Sequence, residues 1–142
     1  PDAVTWTPRV TRGGGSLIGV VWNGSKFVAV GDHGVAFSSA DGVTWRQADT
    51  GTQETLHDVA WNGAVFTAVG TGGARVESAD GLAWTAVDTG TSNDLYAVRW
   101  SGGRLLALGR SGTILRDSCG AQRGSVSPEP GDPGRAPRTV KR

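Results

Sequence analysis

A step of 39 residues governs this chain. All six tryptophans fall into two series, Trp6, Trp45, Trp84 and Trp22, Trp61, Trp100, with every step equal to 39 residues. The same step links Gly31 to Gly70 and Gly109, Gly34 to Gly73 and Gly112, and Asp41 to Asp80. Residues 16–54 and 55–93 agree at 19 of 39 positions, far beyond chance. Self-similarity at a fixed period marks an architecture of stacked supersecondary units, each burying its faces on its neighbours.

Within one period the pattern predicts four short strands. LIGVVW (17–22) ends at Asn23-Gly24, a hairpin signal. KFVAV (26–30), VAFSS (35–39) and VTWRQ (43–47) follow, separated by Gly- and Asp-containing turns. The second period repeats them as LHDVAW, VFTAV, ARVES and LAWTAV. In the first strand, Ile18, Val20 and Trp22 and their equivalents are assigned to one face, and Leu17, Leu56 and Leu95 to the other. Apolar residues on both faces imply a strand covered on both sides. No helical period is sustained. Four strands in about 40 residues is the blade period of a propeller. The fold expected is therefore all-β, a partial β-propeller of about three four-stranded blades. The blades are placed at 16–49 and 55–88, with a third split between 94–118 and 1–10. A β-solenoid is the rival, but its coils run shorter.

Ser39-Ala40-Asp41-Gly42-Val43-Thr44-Trp45 and Ser78-Ala79-Asp80-Gly81-Leu82-Ala83-Trp84 resemble the Asp box of sialidase-like (BNR) propellers, sortilin-type receptors and photosystem II assembly factors. Gly follows Asp directly, a shortened form of S-x-D-x-G-x-x-W. The resemblance covers about residues 1–118, and it implies fold far more than activity. Physically, Asp accepts backbone N–H bonds in a tight turn, Gly supplies positive φ, and Trp fills the gap behind it. Ser39, Asp41, Gly42, Trp45, Ser78, Asp80, Gly81 and Trp84 are therefore read as structural.

Function is sought in the loops that vary while this frame repeats. Propeller topology places the strand 2–3 loops and the blade-to-blade connections on one face. The candidate binding residues there are Asp32, His33, Gln53, Glu54, Ser92, Asn93 and Arg110. No catalytic, cofactor-binding or metal-ligating set is assigned. His33 and His57 lack metal-like spacing, Gly13-Gly14-Gly15 precedes no helix with a Lys-Ser/Thr pair, and no Ser-His-Asp signature is present. A sialidase of this fold needs an arginine cluster, a Tyr–Glu pair and an acid Asp. Tyr96 is the only tyrosine, and Glu54 and Glu77 sit in no matching motif. The favoured expectation is a non-catalytic binding or assembly scaffold for a protein or glycan. The alternative is a fragment of a glycan-processing hydrolase whose catalytic residues lie elsewhere. An extracytoplasmic location is expected: extracellular, cell-surface or periplasmic.

Charge and ends complete the reading. The net charge is +1, but residues 119–142 carry five basic side chains against Glu129 and Asp132, leaving −2 on the rest. The body is therefore no basic platform for nucleic acid. No run reaches the ~18 apolar residues of a membrane span. The tail 119–142 is rich in Pro, Gly and Arg without aromatics, a composition that predicts disorder. The repeat breaks after Ser118: Cys119-Gly120 stands where Asp-Gly is expected, and Arg123 stands at the Trp position. A longer natural chain supplying the remaining blades is the favoured expectation, with closure by a second copy as the alternative.

Overall fold

The structure is a computed structural model that describes residues 5–12 and 14–118. The tail 119–142, expected to be disordered, lies outside the described residues, as do residues 1–4 and 13.

The chain is all-β, in three antiparallel sheets of consecutive strands. The first is β1 (Leu17–Trp22), β2 (Phe27–Gly31), β3 (Val35–Ser39) and β4 (Arg46–Asp49). The second is β5 (Leu56–Trp61), β6 (Phe66–Gly70), β7 (Arg75–Ser78) and β8 (Thr85–Ala86). The third is β9 (Leu95–Ser101), β10 (Arg104–Gly109) and β11 (Ile114–Ser118). Strand order follows sequence order in each sheet, so every connection is a hairpin or a link to the next sheet.

The sheets pack face to face. Val28, Val30 and Ala36 of the first meet Leu56, Val59 and Phe66 of the second, with Trp61, Leu82 and Trp84 partly buried beside them. Ala60 and Val69 of the second meet Leu95, Val98, Leu105 and Ala107 of the third. The strands β1, β5 and β9 lie against one another in succession. Gly19 permits the first of these approaches, since a Cβ there would lie 2.9 Å from Asp58 Cα.

Two expectations need correction. Leu17, Leu56 and Leu95 do not face away from Val20, Val59 and Val98. The register skips one residue between Leu17 and Gly19 and between Leu56 and Asp58, and Leu108 and Gly109 pair with Ala97 and Leu95. The bulge inserts Ile18, His57 or Tyr96 as an unpaired residue and reverses the alternation. Leu56 and Val59 thereby enter one core cluster, and Leu95 and Val98 the next.

The fourth strands begin later than 43 and 82. Their first residues are spent on the preceding turn, so pairing starts at Arg46 and Thr85. Residues 5–10 form no strand, and the third sheet has three strands among the described residues; the blade expected to be split between 94–118 and 1–10 falls in part on residues 1–4, outside the described residues. Accordingly Trp6 is 90% exposed and Trp22 48% exposed, while Trp45, Trp61, Trp84 and Trp100 are half-buried.

Candidate functional site

The two Ser-Ala-Asp-Gly turns are near copies. Asp41 Oδ1 accepts from the Val43 and Thr44 N–H groups at 2.8 and 2.9 Å. Ser39 Oγ accepts from Gly42 N–H at 2.8 Å, and Trp45 Nε1 donates to the Gly42 carbonyl at 3.1 Å. In the second turn Asp80 Oδ1 accepts from Leu82 and Ala83 N–H at 2.8 and 3.0 Å. Ser78 Oγ accepts from Gly81 N–H at 2.8 Å, and Trp84 Nε1 reaches the Gly81 carbonyl at 3.2 Å. The N–H bonds from Thr44 and Val43 hold the Asp41 carboxyl below the usual carboxylate value, and those from Ala83 and Leu82 do the same for Asp80. Each side chain is occupied locally.

The opposite ends of the strands carry a second set of repeats. Single 3-10 turns at Asp32–Gly34, Thr71–Gly73 and Arg110–Gly112 link the second and third strands of each sheet. The incoming linker clasps all three turns, and the outgoing linker clasps the first two. Asp32 N–H donates to the Ser16 carbonyl at 2.9 Å, and Ser16 N–H returns a bond to Asp32 Oδ2 at 3.0 Å. That N–H holds the Asp32 carboxyl low. Thr71 and Arg110 N–H groups repeat the first bond, to the Thr55 and Asp94 carbonyls. On the outgoing side Thr50 and Thr89 hydroxyls donate to the Gly34 and Gly73 carbonyls at 2.5 and 2.8 Å.

Gly73 shows why this position stays glycine. Its φ is +76°, and a Cβ would lie 1.9 Å from the Thr91 carbonyl oxygen. His33 occupies the left-handed region at φ 56°, where the next repeats have Gly72 and Ser111.

The expected binding residues lie along this rim. His33 and Gln53 line one shallow depression of about 480 Å³ with Gln47, Asp49 and Thr52. The next repeat forms the same depression around Gly72, Ala86, Asp88 and Thr91, at about 200 Å³. Glu54 accepts from the Thr71 hydroxyl at 2.8 Å, and Asp94 accepts from Gly72 N–H at 2.8 Å. Asn93 Nδ2 donates to Thr113 Oγ1 at 2.8 Å, and Thr113 in turn donates to the Arg110 carbonyl. Arg110 and Ser92 are exposed. The seven residues form a band running past all three sheets, and among the described residues His33 and Gln53 share a depression.

Two side-chain roles were not legible in sequence. Asp58 sits between the second and third sheets, accepting from Val98 N–H at 2.9 Å and pairing with Arg99. His57 lies with its ring 5.5 Å from that of Tyr96, and its Nε2 is buried with no hydrogen-bond partner among the described residues. Both follow from the bulge, which no residue type announces.

Residues that sialidase chemistry would require are engaged separately: Glu77 pairs with Arg75, Glu54 bonds Thr71, and Tyr96 neighbours His57. Among the described residues no cluster of three or more His, Cys, Asp or Glu side chains is placed to hold a metal. No described helix is long and apolar enough to cross a membrane. Comparison with family models, curated proteins and solved structures returns no match.

Proposed function

We propose that the three sheets are successive blades of an Asp-box propeller, and that the chain is a non-catalytic binding or assembly scaffold. Support for the propeller reading comes from the 39-residue period, the sequential four-strand order and the duplicated Asp turns. The observation that carries the function is the contrast between the two ends of the strands. One end repeats its bonding almost atom for atom. The other keeps its clasps but exchanges the outward side chains: His33, Gly72 and Ser111 at one position, Gln53 and Ser92 at another.

A band of varied polar groups on a rigid frame suits an extended partner, a glycan chain or a protein segment, better than a small molecule, which is bound in a concave, mostly apolar pocket. Such a partner fits the extracytoplasmic setting expected for the chain.

A glycan array and a fluorogenic sialoside test the two functional classes. Glycan binding that is lost on combined His33→Ala, Gln53→Ala and Arg110→Ala substitution and retained in Asp41→Ala, with the sialoside left intact, supports the scaffold. Sialoside hydrolysis by the purified chain overturns it.

A further inference from the structure

The three sheets have two internal junctions but also two outer faces, and the repeat defines what those outer faces are. Within the chain, Leu56, Val59, Trp61 and Phe66 of the second sheet pack on Val28, Val30 and Ala36 of the first. One period earlier, Leu17, Val20, Trp22 and Phe27 form the outward face of the first sheet. Two periods after Val28, Val30 and Ala36, Leu106, Leu108 and Ile114 form the outward face of the third. Val20, Trp22, Leu108 and Ile114 are 61%, 48%, 44% and 64% exposed. The two ends are thus the two complementary halves of a junction that the chain already makes internally.

A second feature selects the same occupant. Among the described residues β11 is the last strand of the third sheet and pairs with β10. Beside it lies a cavity of about 250 Å³ with a mixed lining, apolar at Leu95, Leu105 and Leu115 and charged at Arg75, Asp88 and Asp117. In the preceding junction the equivalent residues Leu56, Phe66, Ala68 and Val76 are covered by Leu82 and Trp84, from the turn and fourth strand. In the sequence Arg123, not Trp, stands at the corresponding position of the third repeat. The residues that do match Ala83-Trp84 are Thr5-Trp6, and Trp6 is exposed. Residues 5–10 precede β1 by the same interval that places 44–49 before β5 and 83–88 before β9. Among the described residues nothing lies within 4 Å of a would-be Cβ at Gly112, where Gly34 and Gly73 each receive a linker carbonyl at 1.9 Å.

We infer that two copies of this chain associate head to tail: the first sheet of one docks on the third sheet of the other, and residues 5–10 of the first add to β11 as its fourth strand, seating Trp6 in the cavity. The contact rests on the repeat alone. Its closure at two copies rests on the propeller reading, six sheets lying within the four to eight of known rings. A head-to-tail contact that does not close grows instead into an open filament.

Sedimentation velocity on the full 142-residue chain tests this, the monomer mass being 14.6 kDa. The expected species is a dimer that dissociates on dilution. Val20→Arg blocks one face and Leu108→Arg the other, and both positions are exposed in the single chain. Each variant is expected to be monomeric with an unchanged circular dichroism spectrum. An equimolar mixture regains a dimer, because one intact pair of faces remains between the two variants. Trp6→Ala is expected to weaken association by more than about tenfold through loss of aromatic burial.

If either arginine variant is misfolded, Val20→Asp and Leu106→Asp repeat the test. A wild-type chain that stays monomeric up to millimolar concentration overturns the inference. So does a Leu108→Arg variant that dimerises like wild type, which indicates a symmetric contact between first sheets. Polymers abolished by either substitution keep the face contact and overturn closure, and with it the propeller reading. An unaffected Trp6→Ala dimer overturns the strand addition.

Discussion

Asp41 and Asp80 each spend a carboxylate oxygen on two backbone N–H groups of the same turn. Alanine at either position leaves those donors to water and is expected to lower the melting temperature by a few degrees while leaving glycan or protein binding at the other end intact. The bonds also set a pH dependence. Both carboxyls are held below their ordinary value, so the folded state binds fewer protons than the unfolded chain as that value is approached from above. Their stabilisation is complete above about pH 3.9 and is lost as the pH falls through the lower folded-state values. Melting curves taken through this acid range are expected to fall less steeply in Asp41→Asn with Asp80→Asn than in wild type. His57 points the opposite way. Its buried Nε2, without a hydrogen-bond partner among the described residues, carries a desolvation cost of about 1–3 kcal/mol. His57→Ile, which installs the residue of the first repeat at that site, is expected to raise the melting temperature. The Asp turns were legible from residue spacing because their bonds are local. The strain on His57 was not, because it arises from strand register and a neighbouring sheet.

At the scale of the element, the glycines separate two costs that a sequence motif merges. Gly73 and Gly90 have nearly the same backbone, φ +76° and +75°, but Gly73 faces the Thr91 carbonyl while Gly90 has no atom of the described residues within 4 Å of a would-be Cβ. Gly90→Ala therefore incurs only the left-handed penalty, about 1–2 kcal/mol. Gly73→Ala adds a backbone collision that must move the linker between the second and third sheets, and it is expected to unfold that linker's clasp. Chemical denaturation of the two variants measures the difference, and equal losses would mean that the linker yields freely. The elements themselves were readable in sequence because alternation and turn residues act locally, and the first three strands of each unit fall within a residue or two of the expected positions. The fourth strands were placed too early because Val43, Thr44, Leu82 and Ala83 look like strand residues, yet their N–H groups or side chains serve the turn and the junction. The face assignment of Leu17, Leu56 and Leu95 failed for a related reason: a single unpaired residue inverts every later position in the strand, and nothing in Ile18, His57 or Tyr96 marks it.

For the whole molecule, the two junctions are unequal, and this predicts where the chain opens first. The first is centred on Leu56 and Phe66, both fully buried, with Trp61, Leu82 and Trp84 around them. The second has no aromatic residue in its buried cluster, has only Trp100 and Leu115 partly buried beside it, and retains the cavity beside β11. Less apolar burial means a weaker coupling between neighbouring repeats, whose stabilities combine as local terms plus junction terms. Polar contacts offset part of this deficit. Asp58 bonds Val98 N–H and pairs with Arg99 across the second junction, and Arg75 pairs with Asp117 at 3.0 Å. The first repeat has Gly19 at the position of Asp58 and needs no such link, because its sheets are already joined by larger side chains. Hydrogen exchange is therefore expected to show β9, β10 and β11 opening at a lower free energy than β5 and β6. Asp58→Ala is expected to lower the opening free energy of the third sheet by about a further 1–3 kcal/mol, through loss of a half-buried charged acceptor, while β2 and β3 keep their protection. The measurement belongs in a Val20→Arg background, where docking of a second copy on the third sheet cannot mask its opening. An equal acceleration across all three sheets would mean that the junctions are strong enough to make the chain a single cooperative unit. The hierarchy of cores would then have no bearing on how it unfolds.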